Sequence, residues 1–160
     1  MSKKPIIIVA GEPNSIFLEI FFKCIKIKTY KNPLVIIVSR KLIISQMKNL
    51  GFNYKINTID KNLDNFDTLK NDKINLINVN YDFKNSFEKI SNKSNRYIAK
   101  SFEIALNLLK NNKSLRLING PISKKHFLKK KSFGITEFLA KKTANDNVAM
   151  LIYNKKLSVS

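Results

Sequence analysis

The stretch PIIIVAGEPNSIFLEIFFKCIKI, residues 5–27, decides the fold because it places a strand, a turn and a helix in immediate succession. The apolar, β-branched run at 5–10 is typical of a strand that is buried on both faces. The turn at 11–15 combines Gly, Pro, Asn and Ser, and either of its last two residues is suited to cap a helix. That helix, over 16–27, is so rich in apolar residues that we expect it to be largely buried.

The same alternation repeats directly downstream. PLVIIVS, at 33–39, predicts a second buried strand. RKLIISQMKNL, at 40–50, predicts an amphipathic helix that stops at Gly51. Two consecutive strand–helix units predict a parallel sheet whose strands are joined by crossover helices.

The rest of the chain continues this pattern less regularly. We predict a strand and a surface loop within 52–73, a strand at 74–80, an amphipathic helix that is clearest from Ser94 to 112, a strand at 114–120, helices that begin at Pro121 and Gly134, and strands at 147–153 and 155–160. No internal repeat and no Gly/Ser-rich linker divides residues 1–160. Because the chain stops inside a predicted strand, we expect it to be the N-terminal portion of a longer protein.

Positive charge is the most unusual property of the sequence. The formal net charge is +19, but only three of the 30 basic residues are arginines (Arg40, Arg96 and Arg116), and the lysines are spread along the whole chain. Reading base edges and binding phosphates in a bidentate manner both favour arginine. We therefore interpret the charge mainly as a solvated, lysine-rich surface, and a basic nucleic-acid-binding domain is an alternative with less support.

Composition also bears on the cellular compartment. No apolar run approaches the ~18 residues of a membrane span, and the N-terminus lacks a signal-peptide cleavage site. Cys24 is the single cysteine, which excludes an internal disulfide and suits a reducing cytoplasm. We expect its thiol to be buried in the apolar helix and inert. His126 is the single histidine, so we expect it on the surface rather than in a metal site.

Three turns that contain glycine are candidates for a binding site, namely Gly11–Pro13, Asn119–Pro121 and Gly134–Glu137. The carboxyl ends of parallel strands share one edge of a sheet, and ligands of open α/β sheets bind there. Lys124 and Thr136 lie near predicted helix starts, where backbone N–H groups and a lysine would hold a small anion. Taken singly, each turn is also explained by an ordinary strand-to-helix connection or a capped helix.

Four segments, in order, carry a resemblance to a known family. They are VAGEP at 9–13, INGPISK at 118–124, GITEFLA at 134–140 and VAMLIYNKKLSV at 148–159. Together they resemble the 4-hydroxythreonine-4-phosphate dehydrogenases of pyridoxal phosphate biosynthesis, which typically show G-[DE]-P-x-G-I-G-x-E, G-P-[IV]-x-K and G-H-T-E. The resemblance covers essentially the whole chain, and the motifs are specific only in combination.

The resemblance implies a fold and an activity. The fold would be a three-layer α/β/α arrangement with a mostly parallel sheet, similar to the isocitrate and isopropylmalate dehydrogenases and incomplete at the C-terminus. The protein would be a homodimer that oxidises 4-phosphooxy-threonine with NAD or NADP, and the resulting 3-oxo acid would lose carbon dioxide. A divalent metal ion held by three histidines would polarise the reacting oxygen. These ligands and the catalytic residues are expected beyond residue 160, so the 160-residue chain alone is expected to be inactive.

Residue by residue, the resemblance also implies contacts with the phosphorylated substrate. Thr136 matches the threonine of G-H-T-E, and Lys124 matches the lysine of G-P-[IV]-x-K. Ile135 stands where the family has histidine, so a hydrogen bond made there is lost; such a loss to a charged group costs ~1.5–3 kcal/mol, or about tenfold to a hundredfold in affinity. Ser15 and Phe17 replace two glycines of the first loop, and we expect Phe17 to crowd a close backbone approach.

These departures leave a second hypothesis open. A non-catalytic relative would retain the fold and serve a structural role or bind a small anion. Histidines downstream of residue 160 would favour the enzyme, and their absence would favour the non-catalytic relative.

Overall fold

The computed structural model describes residues 4–63, 65–112, 114–128, 134–144, 148–154, 156 and 158–159. The chain forms two compact units, Met1–Pro121 and Ile122–Ser160. Parts of the predicted C-terminal strands and the end of the helix predicted from Pro121 lie outside the described residues. Among the described residues, no helix combines the length and the apolar character needed to cross a membrane.

The first unit is built around a parallel sheet. Its elements are β1 (Ile6–Val9), α1 (Phe17–Ile27), β2 (Leu34–Val38), α2 (Arg40–Asn49), β3 (Ile56–Thr58), β4 (Ile74–Asn78), α3 (Asn95–Asn111) and β5 (Arg116–Asn119), with short 3-10 turns at Phe66–Thr68 and Asn92–Ser94. The strand order is β3-β4-β2-β1-β5, and each neighbouring pair is parallel. The prediction of a parallel sheet with crossover helices is confirmed.

Helices cover both faces of this sheet. From β1 through β2 to β3 the chain moves towards one edge, and from β4 to β5 it crosses back to the other edge. Because crossovers between parallel strands are right-handed, this reversal places α1 and α2 on one face and α3 on the other. The contacts agree, since α1 packs against α2 while α3 packs across β1, β2 and β5. The predicted three-layer α/β/α fold is confirmed.

The core follows from the apolar strands. Residues of β1, β2 and β4 are almost completely enclosed, as the continuous apolar runs predict for strands that helices cover on both faces. Ser39 caps α2, because its Oγ accepts a hydrogen bond of 3.4 Å from the Leu42 N–H. Gly51 follows the end of α2 with a φ of +71°, so the predicted glycine stop is also confirmed.

Ser15 caps α1, as predicted: the residue directly before the helix is Ile16, but the Ser15 Oγ accepts from the Phe17 N–H at 3.3 Å. The prediction that the helix is largely buried is wrong. It is buried along one stripe only, which consists of Leu18, Phe21 and Phe22. Apolar residues are dense along this helix, so its composition does not indicate that only one face packs against the sheet.

The outer face of α1 carries the remaining apolar residues. Ile16, Ile20 and Ile27 are exposed to solvent by 68%, 46% and 84% of their surfaces. Cys24 lies on the same helix and is exposed, so the prediction of a buried thiol is wrong. The error arises because helical spacing places Cys24 four residues after Ile20, on the side of the helix that faces away from the sheet.

The second unit is smaller. It holds a single π-helical turn at Lys124–Leu128, the helix α4 at Ile135–Thr143, and two strands, β6 (Ile152–Tyr153) and β7 (Ser158–Val159). The strands pair antiparallel, and they lie within the two strands predicted at 147–153 and 155–160. A longer helix from Pro121 is not formed over the described residues, where the helical turn starts only at Lys124.

Two glycines allow the ends of β1 and β5 to touch. Gly11 has a φ of +75°, and a Cβ atom added there would overlap with the carbonyl oxygen of Pro121. A Cβ atom on Gly120 would overlap with the carbonyl oxygen of Ala10. The Gly120 N–H donates to the Val9 carbonyl at 2.7 Å, which extends the β1–β5 pairing into the turns. Glycine is therefore needed at both positions for the packing of backbone on backbone.

We expect Gly120→Ala to destabilise the protein by about 2 kcal/mol or more, because the new methyl group meets backbone atoms that cannot move without disturbing β1. Gly51→Ala is the matched control, since nothing lies within 4 Å of its added Cβ and only the positive φ opposes it. Gly51→Ala should lower the free energy of unfolding by about 1 kcal/mol. Urea unfolding of both variants measures the difference, and equal losses would contradict the proposed backbone contact.

Candidate functional site

A buried carboxylate organises the first loop. Glu12 is only 2% exposed. Its Oε2 accepts a hydrogen bond of 2.9 Å from the Ser94 hydroxyl, and its Oε1 accepts one of 3.3 Å from the Asn14 N–H. The Glu12 N–H donates to the Pro121 carbonyl at 2.8 Å. One residue therefore joins the ends of β1 and β5 to the start of α3.

The backbone donors of this loop are largely used inside the protein. Besides Glu12 and Asn14, the Ser15 N–H donates to the Glu12 carbonyl at 3.1 Å and the Phe17 N–H donates to the Ser15 Oγ. A loop that holds an anion needs N–H groups that point outwards, and a neighbouring carboxylate opposes anion binding. These internal hydrogen bonds give the loop a structural role, which is to connect the ends of β1 and β5 to the start of α3.

Phe17 occupies the space beside Gly120. Its Cγ lies 3.0 Å from the position that a Cβ on Gly120 would take. The aromatic ring therefore covers the glycine of the Asn119–Pro121 turn, which is the crowding that the sequence predicts for a phenylalanine in place of a glycine. A ligand cannot approach the Gly120 backbone from the side that this ring covers.

Lys124 is the first residue of the π-helical turn and is exposed. Ser123 precedes it and acts as a cap, because its Oγ accepts from the His126 N–H at 3.1 Å. Its carbonyl accepts from the Phe127 N–H at 2.8 Å. A turn of five residues has no appreciable macrodipole, so any anion at this position would depend on the lysine side chain rather than on the helix.

Ile135 and Thr136 open α4 and are half-buried. Gly134 is the N-cap residue, so Thr136 occupies the second helical position and does not cap the helix. Glu137 lies in the first turn, and its Oε2 is 3.1 Å from the position that a Cβ on Gly134 would take. The Thr136 hydroxyl makes no hydrogen bond within the described residues that would prevent it from meeting a ligand.

An aromatic contact brings the two predicted substrate-binding segments together. Phe127 from the π-helical turn and Phe138 from α4 pack edge to face with ring centroids 5.2 Å apart. The segment that carries Lys124 is therefore packed on the helix that carries Thr136. The structure places the three predicted substrate contacts, Lys124, Ile135 and Thr136, within one compact unit.

Sequence analysis missed a polar cavity in the first unit. It measures about 1160 Å³ and lies against the C-terminal ends of β3 and β4 and the start of α3. The strands β2 and β4 are neighbours whose onward connections run to opposite edges, and such a reversal is where open α/β sheets bind ligands. The charged residues that line the cavity are Asp60, Lys61, Asp82, Lys93, Arg96, Lys100 and Glu103. They are far apart in sequence, although the arginine content gave a hint, since Arg96 is one of only three.

Two tyrosines form part of the same wall. The rings of Tyr81 and Tyr97 lie 5.1 Å apart and are almost fully buried. Burial raises the pKa of both hydroxyls above the ordinary tyrosine value, so both are neutral at physiological pH. The Tyr97 hydroxyl lies near the Ser39 backbone and the Ser101 side chain, which act against the effect of burial on its pKa, but it makes no well-formed hydrogen bond among the described residues.

Among the described residues, no group of three or more His, Cys, Asp or Glu side chains is placed to hold a metal ion. His126, the single histidine, is half-buried in the π-helical turn.

The parallel sheet and its two helical layers define an α/β protein with an open, three-layer fold. The residue pattern of the family described as pyridoxal phosphate biosynthetic protein PdxA matches residues 29–160. The chain belongs to this family. The match begins after the first loop, which contains the departures at Ser15 and Phe17.

Solved structures show the same fold. A 4-hydroxythreonine-4-phosphate dehydrogenase from Burkholderia phymatum superimposes with a TM-score of 0.78 at 20% identity, covering 99% of this chain and 49% of the other. The same enzyme from Klebsiella pneumoniae gives a TM-score of 0.76 at 20% identity, with 98% and 49% coverage. The chain thus spans about half the length of the solved structures that it matches. No curated protein sequence matches this chain significantly.

We expect Tyr97→Phe to leave the free energy of unfolding at pH 7 unchanged or to raise it by about 1 kcal/mol, because it removes a buried hydroxyl that makes no well-formed hydrogen bond. The unfolded chain ionises this phenol above about pH 10, whereas the folded chain resists ionisation. The raised pKa therefore makes stability fall as pH rises past about 10. Tyr97→Phe should abolish the part of this loss of stability that comes from Tyr97. Urea unfolding across alkaline pH measures it.

Tyr153→Phe is the control, because Tyr153 is 72% exposed. It should leave the alkaline profile unchanged. A Tyr97→Phe variant that is destabilised by more than 1 kcal/mol at pH 7 would show that the hydroxyl has a partner after all.

Proposed function

We propose that this chain is the N-terminal portion of an enzyme that oxidises 4-phosphooxy-threonine with NAD or NADP in pyridoxal phosphate biosynthesis. The observation that carries the proposal is the match of residues 29–160 to the PdxA family. It is supported by the fold of solved 4-hydroxythreonine-4-phosphate dehydrogenases, of which this chain corresponds to about half. The product of the oxidation is a 3-oxo acid, which loses carbon dioxide readily.

The chain's own contribution would be to bind and orient the substrate. Lys124 is exposed and carries a charge suited to a phosphate group. The Thr136 hydroxyl can donate a hydrogen bond to the substrate or accept one from it. Ile135, which precedes Thr136, can neither donate nor accept a hydrogen bond through its side chain. The packing of Phe127 on Phe138 supports this assignment, because it holds the two polar residues in one unit.

The nicotinamide cofactor would accept the hydride, and a divalent metal ion would polarise the reacting oxygen. By the resemblance to the family, the metal ligands lie beyond residue 160. By the same resemblance, the working protein is a cytoplasmic homodimer, and the 160-residue chain alone is inactive.

A non-catalytic relative is the second candidate, and two observations favour it. The Phe17 ring covers Gly120, and Ile135 replaces a histidine that the family motif carries. Both changes remove polar contact or backbone access at turns where the family contacts its substrate. A protein with these changes would retain the fold and bind a small anion or serve a structural role.

The test is NADH or NADPH formation from 4-phosphooxy-threonine by the protein purified from its natural source, with a divalent metal ion supplied. Activity that disappears on chelation and returns with metal would support the enzyme. An absence of turnover, in a protein that still binds 4-phosphooxy-threonine, would support the non-catalytic relative and overturn the catalytic proposal.

The substrate contact has its own prediction. We expect Thr136→Ala to weaken binding of 4-phosphooxy-threonine to the 160-residue chain about tenfold, because a hydrogen bond to a charged ligand is lost. Isothermal titration calorimetry measures the affinity. Thr143→Ala is the matched control: Thr143 ends the same helix, and its hydroxyl donates to the Leu139 carbonyl at 3.0 Å. Equal effects of the two substitutions would exclude Thr136 as a specific contact.

A further inference from the structure

The cavity beside the start of α3 has the chemistry of a second binding site. All of its lining residues lie between 58 and 104, within the first compact unit. Its cations come mainly from the start of α3, which supplies Lys93 and Arg96. Its carboxylates Asp60 and Asp82 come from the loops that follow β3 and β4. Positive and negative groups are therefore contributed by different elements.

The cations are not fully neutralised by the protein. Within the described ranges, Arg96 and Lys61 take part in no ion pair, and the Lys93 ammonium is 3.5 Å from the Glu88 carboxylate. Arginine is scarce in this lysine-rich chain, yet one of its three arginines lines this cavity. Arg96 is exposed, and its guanidinium group can bind a phosphate through two parallel N–H bonds, a geometry that a lysine lacks.

One side of α3 forms a wall of the cavity, with Lys93, Arg96 and Lys100 about one turn apart. Ser94, the N-cap residue, is not part of this wall, and its hydroxyl donates to the buried Glu12 carboxylate. The candidate site therefore depends on side chains along the helix and not on its N-terminal end.

We propose that this cavity binds the phosphate ester of a small molecule that also carries hydroxyl or amino groups. The phosphate contacts Arg96 and Lys93, and Asp60 and Asp82 accept hydrogen bonds from the hydroxyl or amino groups. The two carboxylates disfavour a continuous polyanion, so the charge pattern fits a nucleotide or a sugar phosphate better than a nucleic-acid strand.

The experiment uses the 160-residue chain and isothermal titration calorimetry with three probes: inorganic phosphate, adenosine 5′-monophosphate and glucose 6-phosphate. We expect at least one of the two esters to bind more tightly than inorganic phosphate. Arg96→Gln should weaken that binding about tenfold or more. Arg116→Gln is the matched control, because it removes the same charge from an exposed position on β5, outside the cavity; its effect should stay within about twofold.

Each outcome decides the proposal. Tighter binding of adenosine 5′-monophosphate than of glucose 6-phosphate identifies the ester as a nucleotide, and the reverse order identifies it as a sugar phosphate. Equal weakening by both substitutions would show non-specific attraction to a basic protein, and an absence of ester binding would show that the cavity takes no phosphate ester; either result overturns the proposal. Lys93→Gln replaces Arg96→Gln if circular dichroism shows that the latter does not fold. Failure of this site leaves the Thr136 prediction unaffected, since that prediction concerns the second unit.

Discussion

The contact between the ends of β1 and β5 is the constraint on which the first unit depends. These strands are distant in sequence but adjacent in the sheet, and their turns touch backbone to backbone because Gly11 and Gly120 lack side chains. Glu12 then links this contact to the start of α3 through Ser94. A buried carboxylate is costly unless it is hydrogen-bonded, so its two partners are part of the same constraint. The glycines of these motifs are thus explained first by packing.

The same contact sets the chemistry of the strand ends. With the loop N–H groups bonded internally and Phe17 beside Gly120, the first loop offers little to a ligand. The polar groups that remain open lie elsewhere: Lys124 and Thr136 in the second unit, and the charged cavity along the start of α3 in the first. Because the chain belongs to the PdxA family, Lys124 and Thr136 are the proposed substrate contacts. The charged cavity is the basis of a separate hypothesis, which rests on its physical properties.

The net charge of +19 is explained by a solvated, lysine-rich surface. The lysines are distributed over the helices and loops along the whole chain, and most of those in the described residues are exposed. Where basic residues gather, in the cavity, they alternate with carboxylates rather than form a continuous stripe. This arrangement fits a small mixed-charge ligand and gives no support to a nucleic-acid groove.

The parallel sheet, the alternation of strands and helices and the family were all predictable, because continuous apolar runs, helical periodicity and ordered motifs are local properties of the chain. Tertiary packing determines which face of α1 is buried, and it leaves Cys24 exposed on the other face. It also places Gly120 against Ala10 and brings Asp60, Asp82 and Arg96 to one cavity. These features depend on strand order and on the crossing of α3, which bring together residues that no local pattern connects.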